Sequence, residues 1–146
     1  MSQENVEVVR RCNRFWGERD FVQASELFDP EVVIDFSQNV FNPDVYRGYE
    51  GLMRLDRAIH EMWETFTVET EEVIDAGETV VAAVRLSGRG GRSGVATQMQ
   101  GFQVWTLRDG RVLRMKGDYR NRKEALEAVG LSEPAPQGGE NPEPRA

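Results

Sequence analysis

Cysteine and histidine each occur once in this chain of 146 residues, and long apolar runs are absent. The single cysteine, Cys12, has no partner for an internal disulfide, and its helical spacing from Val8 and Phe15 favours a small buried side chain over a nucleophile. One cysteine and one histidine cannot form a zinc cluster, so we predict no metal and no cofactor. No window approaches the roughly 18 consecutive apolar residues of a membrane-spanning helix, and the polar start of the chain lacks the apolar core of a signal peptide. These absences predict a cytoplasmic protein that does not enter a membrane.

An excess of positive charge is also missing. The chain has 18 Lys and Arg residues against 25 Asp and Glu residues, which gives a formal net charge of −7. Proteins that bind nucleic acid or an anionic membrane surface carry a clustered basic footprint, so we expect neither partner. With 39% hydrophobic residues, the chain is long enough for one domain with its own core.

Apolar periodicity divides the chain into short helices and strands. The predicted elements, in chain order, are a helix from Ser2 to about Gly17, a helix over 21–28, a strand over 31–36, a long loop over 37–48, a helix over 49–65, strands over 66–75, 79–87, 95–107 and 111–119, and a short helix over 122–129. Pro, Gly and Glu dominate from Ser132 onward, which is typical of disorder. We therefore predict one folded domain over residues 1–131 and a disordered tail over residues 132–146.

The last four predicted strands follow one another through short turns, so they must pair as an antiparallel meander. A sheet of this kind is strongly twisted, and about three helices on its concave face would complete an α+β cone. Such a cone leaves a cavity between the sheet and the helices. The sequence therefore predicts an apolar small-molecule pocket.

Several segments of the sequence, taken in order, resemble one protein family. They are Asn-Val-Glu-Val-Val-Arg at 5–10, Leu-Phe-Asp-Pro-Glu-Val at 27–32, Tyr-Arg-Gly at 46–48, Asp-Ala-Gly-Glu-Thr-Val-Val at 75–81, Leu-Arg-Asp-Gly-Arg-Val at 107–112 and Lys-Glu-Ala-Leu-Glu-Ala-Val-Gly-Leu at 123–131. In this combination the chain resembles the SnoaL-like branch of the NTF2-like, cystatin-like α+β superfamily, which includes polyketide cyclases and is related to ketosteroid isomerase. The resemblance covers about residues 3–131. It implies an NTF2-like cone, a small-molecule pocket and a homodimer whose sheets pair back to back.

Asp35 ends an apolar run of Val33, Ile34 and Phe36. From the residues alone, its carboxylate is either a solvated strand end, a structural hydrogen-bond acceptor or a base in an apolar pocket. The resemblance places Asp35 where the isomerases carry their general base. That role requires a pKa raised by an apolar, water-poor site.

The partner groups of that base carry over incompletely. The tyrosine that donates to the oxyanion falls at Cys12, which cannot replace it, while the protonated acid of the meander falls near Gln103, whose amide can donate a hydrogen bond. In the polyketide cyclases of the family an aspartate on the last part of the sheet is the acid/base, and Asp118 is the nearest candidate by position. Because side chains alternate along a strand, only one of Asp118 and Tyr119 can face inward.

His60 and Gln103 complete the predicted catalytic group. His60 is either solvated on a polar helix face or turned inward to act with Asp35. Gln103 and Trp105 share one strand face, which is either the wall of a pocket with a polar anchor or a solvated or dimer-forming surface.

Aromatic residues supply most of the predicted lining of the pocket. The ligand-binding candidates are Trp16, Phe36, Tyr46, Tyr49, Trp63, Trp105, Met115 and Tyr119. The helical spacing of Trp16 and Trp63 favours a place in the core over a ligand-binding role. Either Tyr46 or Tyr49, which flank Gly48, could donate a hydroxyl in place of the missing tyrosine.

Three functions are consistent with this sequence. The first is cofactor-free isomerisation, cyclisation or dehydration of a mid-sized apolar carbonyl compound, with Asp35 as base. The second is non-catalytic binding of a small molecule in the same cavity. The third is a dimerising module whose cavity is filled by tryptophan rings. We expect a homodimer under all three.

Overall fold

A computed structural model describes residues 2–39 and 43–132. The helices are α1 (Ser2–Glu18), α2 (Ala24–Leu27), α3 (Gly48–Met62) and α4 (Arg122–Ala128), with a 3-10 turn at Phe21–Gln23 before α2. The strands are β1 (Phe28–Phe36), β2 (Asp44–Arg47), β3 (Trp63–Asp75), β4 (Thr79–Gly90), β5 (Ala96–Arg108) and β6 (Arg111–Tyr119). The predicted disordered tail lies, from residue 133 onward, outside the described residues.

The strands form one sheet in the order β2-β1-β6-β5-β4-β3. Strands β3 to β6 pair as the predicted antiparallel meander, β1 joins β6 in parallel, and β2 pairs antiparallel with β1. The turn between β5 and β6 is made by Asp109 and Gly110, whose φ angles of 54° and 78° suit the tight hairpin predicted there. The α+β fold with a mainly antiparallel sheet is confirmed.

The two faces of the sheet pack against different helices. One face presents Ile34, Trp105 and Met115, which share a core with the apolar sides of α1, α2 and α3. We call it the helix face. The opposite face presents Val81 and Val104, which pack with α4 through Ala125 and Leu126; we call it the α4 face. Three helices therefore cover one face as predicted, and a fourth short helix covers part of the other.

Helix α1 reaches the helix face because its apolar residues form one stripe. Its buried positions are Val9, Cys12, Asn13, Phe15 and Trp16, all at most 4% exposed. Gly17 lets the helix approach β3 closely, since a Cβ there would lie 3.3 Å from the carbonyl oxygen of Phe66. This contact brings α1 against the edge strand of the meander. The buried Cys12 agrees with the prediction from its spacing, and burial raises the pKa of its thiol.

Three of the differences from the predicted element boundaries have a direct structural reason. The predicted loop over 37–48 contains strand β2, whose Tyr46 is 3% exposed; four residues are too few to show a period. The predicted helix over 21–28 divides into a 3-10 turn and one turn of α2 because Phe28 already pairs in the sheet. The long helix ends at Met62, since Trp63 is extended and pairs with Gly90.

Candidate functional site

Two groups of polar side chains occupy opposite faces of the sheet. The amide cluster, on the helix face, consists of Asn13, Thr70, Gln103 and Trp105. The charged cluster, on the other face, consists of Asp35, Gln38, Arg114, Lys116 and Asp118. The sequence-predicted acids thus lie apart from the predicted amide donor, Gln103.

Asn13 and Gln103 form a reciprocal pair at the centre of the amide cluster. Asn13 Nδ2 donates to Gln103 Oε1 at 3.2 Å, and Gln103 Nε2 donates back to Asn13 Oδ1 at 3.1 Å. Asn13 Nδ2 also donates to Thr70 Oγ1 at 3.0 Å, and the indole N–H of Trp105 donates to Gln103 Oε1 at 2.9 Å. Buried amides of this kind are tolerated because each one has a partner.

Apolar side chains surround this pair. Asn13 is 1% exposed, Gln103 7% and Trp105 0%. Ala82 lies opposite Gln103 on β4 and is fully buried. The fully or nearly buried rings of Phe15, Trp16 and Phe28 pack edge to face or tilted, with centroids between 5.0 and 6.2 Å apart. These rings fill part of the interior between the helices and the sheet.

Asp35 points to the face opposite these rings. Its neighbour Ile34 contacts the core, whereas Asp35 pairs in register with Lys116, which lies opposite Val104 on the α4 face. Its Oδ2 accepts a hydrogen bond from Arg114 Nη2 at 2.7 Å, and its Oδ1 accepts one from the Ser37 backbone N–H at 2.9 Å. The side chain of Asp35 is 12% exposed and that of Arg114 is 50% exposed.

The surroundings of Asp35 hold its carboxyl in the ionised form. Partial burial acts to raise its pKa, but hydrogen bonds from Ser37 and the positive charges of Lys116 and Arg114 outweigh that effect and lower the pKa below its ordinary 3.8. The general-base role of Asp35, which requires a raised pKa, therefore stays a prediction. The cationic residues responsible lie on β6, far from Asp35 in sequence.

Asp118 is the second acid of the charged cluster. Its side chain is 2% exposed and accepts hydrogen bonds from Lys116 Nζ and, at 2.6 Å, from the backbone N–H of Gln38. Lys116 also lies 5.1 Å from the centroid of the Tyr119 ring. Both oxygens of Asp118 are thus engaged within this cluster.

Strict alternation does not hold at the end of β6. Met115 faces the helices, yet Tyr119 packs with Phe102 beside α4. The register explains the change. Tyr119 pairs with Phe102 and Lys116 pairs with Val104, so three steps along β6 lie opposite two steps along β5. The extra residue is a β-bulge, which changes the face to which later side chains point.

The remaining candidates are placed by other contacts. His60 Nε2 lies 3.5 Å from Asp56 Oδ1, which Arg19 also binds through Nε at 3.0 Å. The Tyr49 hydroxyl donates to the carbonyl of Phe28 at 3.0 Å. Tyr46 is buried with its ring 4.4 Å from the guanidinium carbon of Arg54.

Among the aromatic candidates, Phe36 and Tyr46 meet edge to face at 6.5 Å. Trp16 belongs to the core, and Trp63 is partly exposed at the start of β3. Their assignment to ligand binding stays a prediction.

A family model decides the relationship. The model of the SnoaL-like domain matches residues 9–115 of the sequence. The chain belongs to the SnoaL-like family. No functionally curated protein matches it in sequence.

Solved structures with the same fold support the assignment of this SnoaL-like chain. One, described as a candidate SnoaL-like polyketide cyclase from Jannaschia sp. CCS1, is 24% identical, covers 92% of this chain and 95% of its own, and superposes with a TM-score of 0.70. TerC, co-crystallised with polyporic acid, is 18% identical over 86% of this chain and 98% of its own, with a TM-score of 0.69. A protein of ketosteroid isomerase-like fold from Catenulispora acidiphila DSM 44928, in complex with trimethylamine, is 16% identical over 86% and 93%, with a TM-score of 0.68. At these identities the likeness establishes the fold.

Sequence reasoning missed Asn13 and Thr70 in this SnoaL-like domain. The signal for Asn13 was present, because it is a polar residue inside the apolar stripe of α1, between Val9 and Trp16. A polar side chain at such a position must find a buried partner. No comparable signal marks Thr70, whose partner Asn13 is 57 residues away.

Among the residues the structure describes, no helix is long and apolar enough to cross a bilayer, and no cluster of three potential ligands could hold a metal ion.

The described residues also form surface clefts, and two of these clefts lie outside both clusters. The larger, about 450 Å³, lies between β2 and α3, and the smaller, about 190 Å³, lies over the outer ends of β3, β4 and β5.

Proposed function

We propose that this SnoaL-like protein binds a mid-sized, mainly apolar carbonyl compound between α1 and the sheet, with the amide cluster as its polar anchor. The proposal rests on one observation. The amide cluster is a set of oriented hydrogen-bonding groups within an otherwise aromatic and aliphatic interior, which is the usual chemistry of a small-molecule site.

The cluster retains unused hydrogen-bonding capacity. An amide nitrogen carries two donors, and Gln103 Nε2 makes one bond, to Asn13, among the described residues. The hydroxyl of Thr70 accepts from Asn13 and keeps its own proton available. Thr70 is partly exposed on the edge strand β3, so the cluster reaches the surface there. A ligand carbonyl oxygen that enters from that edge could accept hydrogen bonds from both Gln103 Nε2 and the Thr70 hydroxyl.

We propose binding without turnover because acid and anchor lie on opposite faces. Proton transfer at carbon requires the base within hydrogen-bond reach of the substrate held by the oxyanion donors. Asp35 is an ionised partner of Arg114, and its lowered pKa makes it a weak base. Asp118 is bound by Lys116 on the same side of the sheet.

Cofactor-free isomerisation, cyclisation or dehydration remains the second candidate function. The fold it shares with a protein described as a candidate polyketide cyclase favours it. In that case Asp35 would have to leave Arg114 and act as base. Asp35→Asn would then abolish turnover of an enolisable ketone while leaving its binding unchanged.

Ligand titration tests the binding proposal. The probes are aryl ketones and hydroxyquinones, including polyporic acid, and the signal is quenching of tryptophan fluorescence, since Trp105 is bonded to Gln103. We expect saturable quenching by the wild-type protein. Thr70→Val, which keeps the shape and removes the hydroxyl, should weaken binding about tenfold, the equivalent of one hydrogen bond.

The matched control for the substitutions in the amide cluster is Gln98→Leu. Gln98 is exposed and lies on the same strand as Gln103, β5, with its side chain on the opposite face. It should bind the probes like the wild type. Equal affinities of the wild type, Thr70→Val and the double variant Asn13→Leu/Gln103→Leu, with folding verified by circular dichroism, would refute the anchor role.

We also propose a homodimer that uses the α4 face beyond α4. This part of the sheet exposes a broad polar surface that includes Thr65, Thr67, Gln98 and Gln100. Sedimentation equilibrium should give twice the mass of the chain. A monomer at micromolar concentration would contradict this proposal and leave the binding proposal unaffected.

A further inference from the structure

The larger surface cleft carries a local excess of positive charge in a chain whose net charge is −7. It has a volume of about 450 Å³ and lies between strand β2 and the outer side of helix α3. Three of its lining residues are arginines, namely Arg47, Arg54 and Arg57. We call it the arginine groove. Its volume lies within the range of sites that hold small molecules.

Close packing of α3 on β2 fixes the shape of the groove. Gly51 makes this possible, because a Cβ at that position would lie 2.7 Å from the backbone carbonyl carbon of Tyr46. Arg54 forms the rigid wall. Its Nη1 donates to Asp44 at 2.7 Å, its Nη2 donates to the Val45 carbonyl at 3.1 Å, and its guanidinium stacks over Tyr46.

Arg47 and Arg57 are the groove's available cations. Both are exposed, and neither forms an ion pair or side-chain hydrogen bond with any residue in the described ranges 2–39 and 43–132. Glu50 is the carboxylate of the lining, and the charge of Arg54 is matched by Asp44. Two unmatched guanidiniums against one carboxylate leave about one positive charge, which suits a monoanion better than a dianion.

The rest of the lining is apolar. Met53, which is 57% exposed, and Val45 both line the groove. A guanidinium binds a carboxylate through two parallel N–H donors, and an exposed thioether side chain adapts to varied apolar shapes. We propose that the arginine groove binds an organic monocarboxylate, with the carboxylate held by Arg47 and Arg57 and the apolar body on Met53 and Val45.

This site is separate from the amide cluster, and its test is independent of the proposed interior ligand. The probe is benzoate, titrated at low ionic strength and followed by two-dimensional amide NMR. We expect saturable shifts centred on Gly51, Arg54 and Arg57. Benzamide, which has the same shape without the charge, should bind at least about tenfold more weakly, because it forfeits the charge-assisted pair.

The variant Arg47→Gln/Arg57→Gln should lose about tenfold or more in benzoate affinity and keep its fold, since both side chains are exposed. Arg92→Gln, which removes an exposed arginine from the loop between β4 and β5, is the matched control and should bind like the wild type. The proposal is overturned if benzoate gives no saturable shifts, if benzamide binds equally well, or if the double variant and the control behave alike. Tighter binding of inorganic phosphate would also overturn it, in favour of an unselective anion site.

Discussion

The amide cluster and the charged cluster lie on the two faces of one sheet, and each compensates buried polar groups in a different way. The amide cluster buries neutral groups whose hydrogen bonds are short-range and directional. The charged cluster contains two largely buried acids and compensates each with a cation from β6. The first should therefore respond to shape and to the loss of single hydrogen bonds, and the second to pH, salt and loss of a counter-charge.

The largest effect is expected from removing the cation of Asp118. Lys116→Met leaves a carboxylate that is 2% exposed without its ion pair, and breaking a buried pair in this way costs about 4 kcal/mol of unfolding free energy. Urea denaturation at neutral pH measures the loss. The double variant Lys116→Met/Asp118→Asn should recover most of it; no recovery would mean that Lys116 stabilises the fold through its stem rather than its charge.

Next in size is Gln103→Leu in the amide cluster. This change leaves both Asn13 and the Trp105 N–H without their partner, which should cost about 3 kcal/mol. The double variant Asn13→Leu/Gln103→Leu should lose less unfolding free energy than the two single variants together. In each single variant one amide stays buried without its partner, whereas in the double variant both amides are gone. Strict additivity in urea denaturation would contradict the reciprocal pair.

A smaller effect is expected from Asp35→Asn, about 2 kcal/mol at neutral pH for the loss of a charge-assisted hydrogen bond. Because the folded pKa of Asp35 lies below its unfolded value, its contribution is complete above about pH 4 and is lost as the pH falls through the folded pKa. Stability measured from pH 6 to pH 2 should thus fall less steeply in Asp35→Asn than in the wild type. Gln103→Leu should keep the wild-type slope, and an altered slope there would break the distinction between the clusters.

The smallest expected effect is the salt dependence of the stability cost of a substitution, which should differ between the two clusters. Raising NaCl from about 0.05 M to 1 M shortens the screening length from roughly 14 Å to 3 Å, and it should reduce the cost of Asp35→Asn by about 0.5 kcal/mol, since Arg114 is half exposed. The cost of Gln103→Leu should stay constant. Equal salt dependence of the two variants in urea denaturation would show that the clusters do not differ in electrostatic character.

The sequence predicted more of the fold than of the site. The meander, the hairpin at Asp109 and the shared face of Gln103 and Trp105 follow from local periodicity and turn chemistry. The pKa of Asp35 does not follow in full, because Lys116 and Arg114, whose charges lower it together with the hydrogen bonds from Ser37, belong to the distant strand β6. Period-two alternation also cannot choose a face when neighbours such as Ile34 and Asp35 are both buried.

The bulge in β6 likewise prevents the sequence from predicting the faces to which Asp118 and Tyr119 point. One extra residue between Lys116 and Tyr119 is invisible in the pattern of side chains, yet it changes which face each one reaches. Candidate residues after it could therefore be identified by type and not by orientation.

The amide cluster joins residues that are far apart in the sequence, which bears on the order in which the protein folds. Its bonds connect residues separated by 57 and 90 positions, so they close only after β3, β4 and β5 have assembled and α1 has docked. Contacts of such long range carry a high loop-closure entropy and belong late on a folding pathway. Substituting Gln103 should accordingly accelerate unfolding and leave the refolding rate nearly unchanged. The pair of amides would then lengthen the lifetime of the folded state without belonging to the folding nucleus.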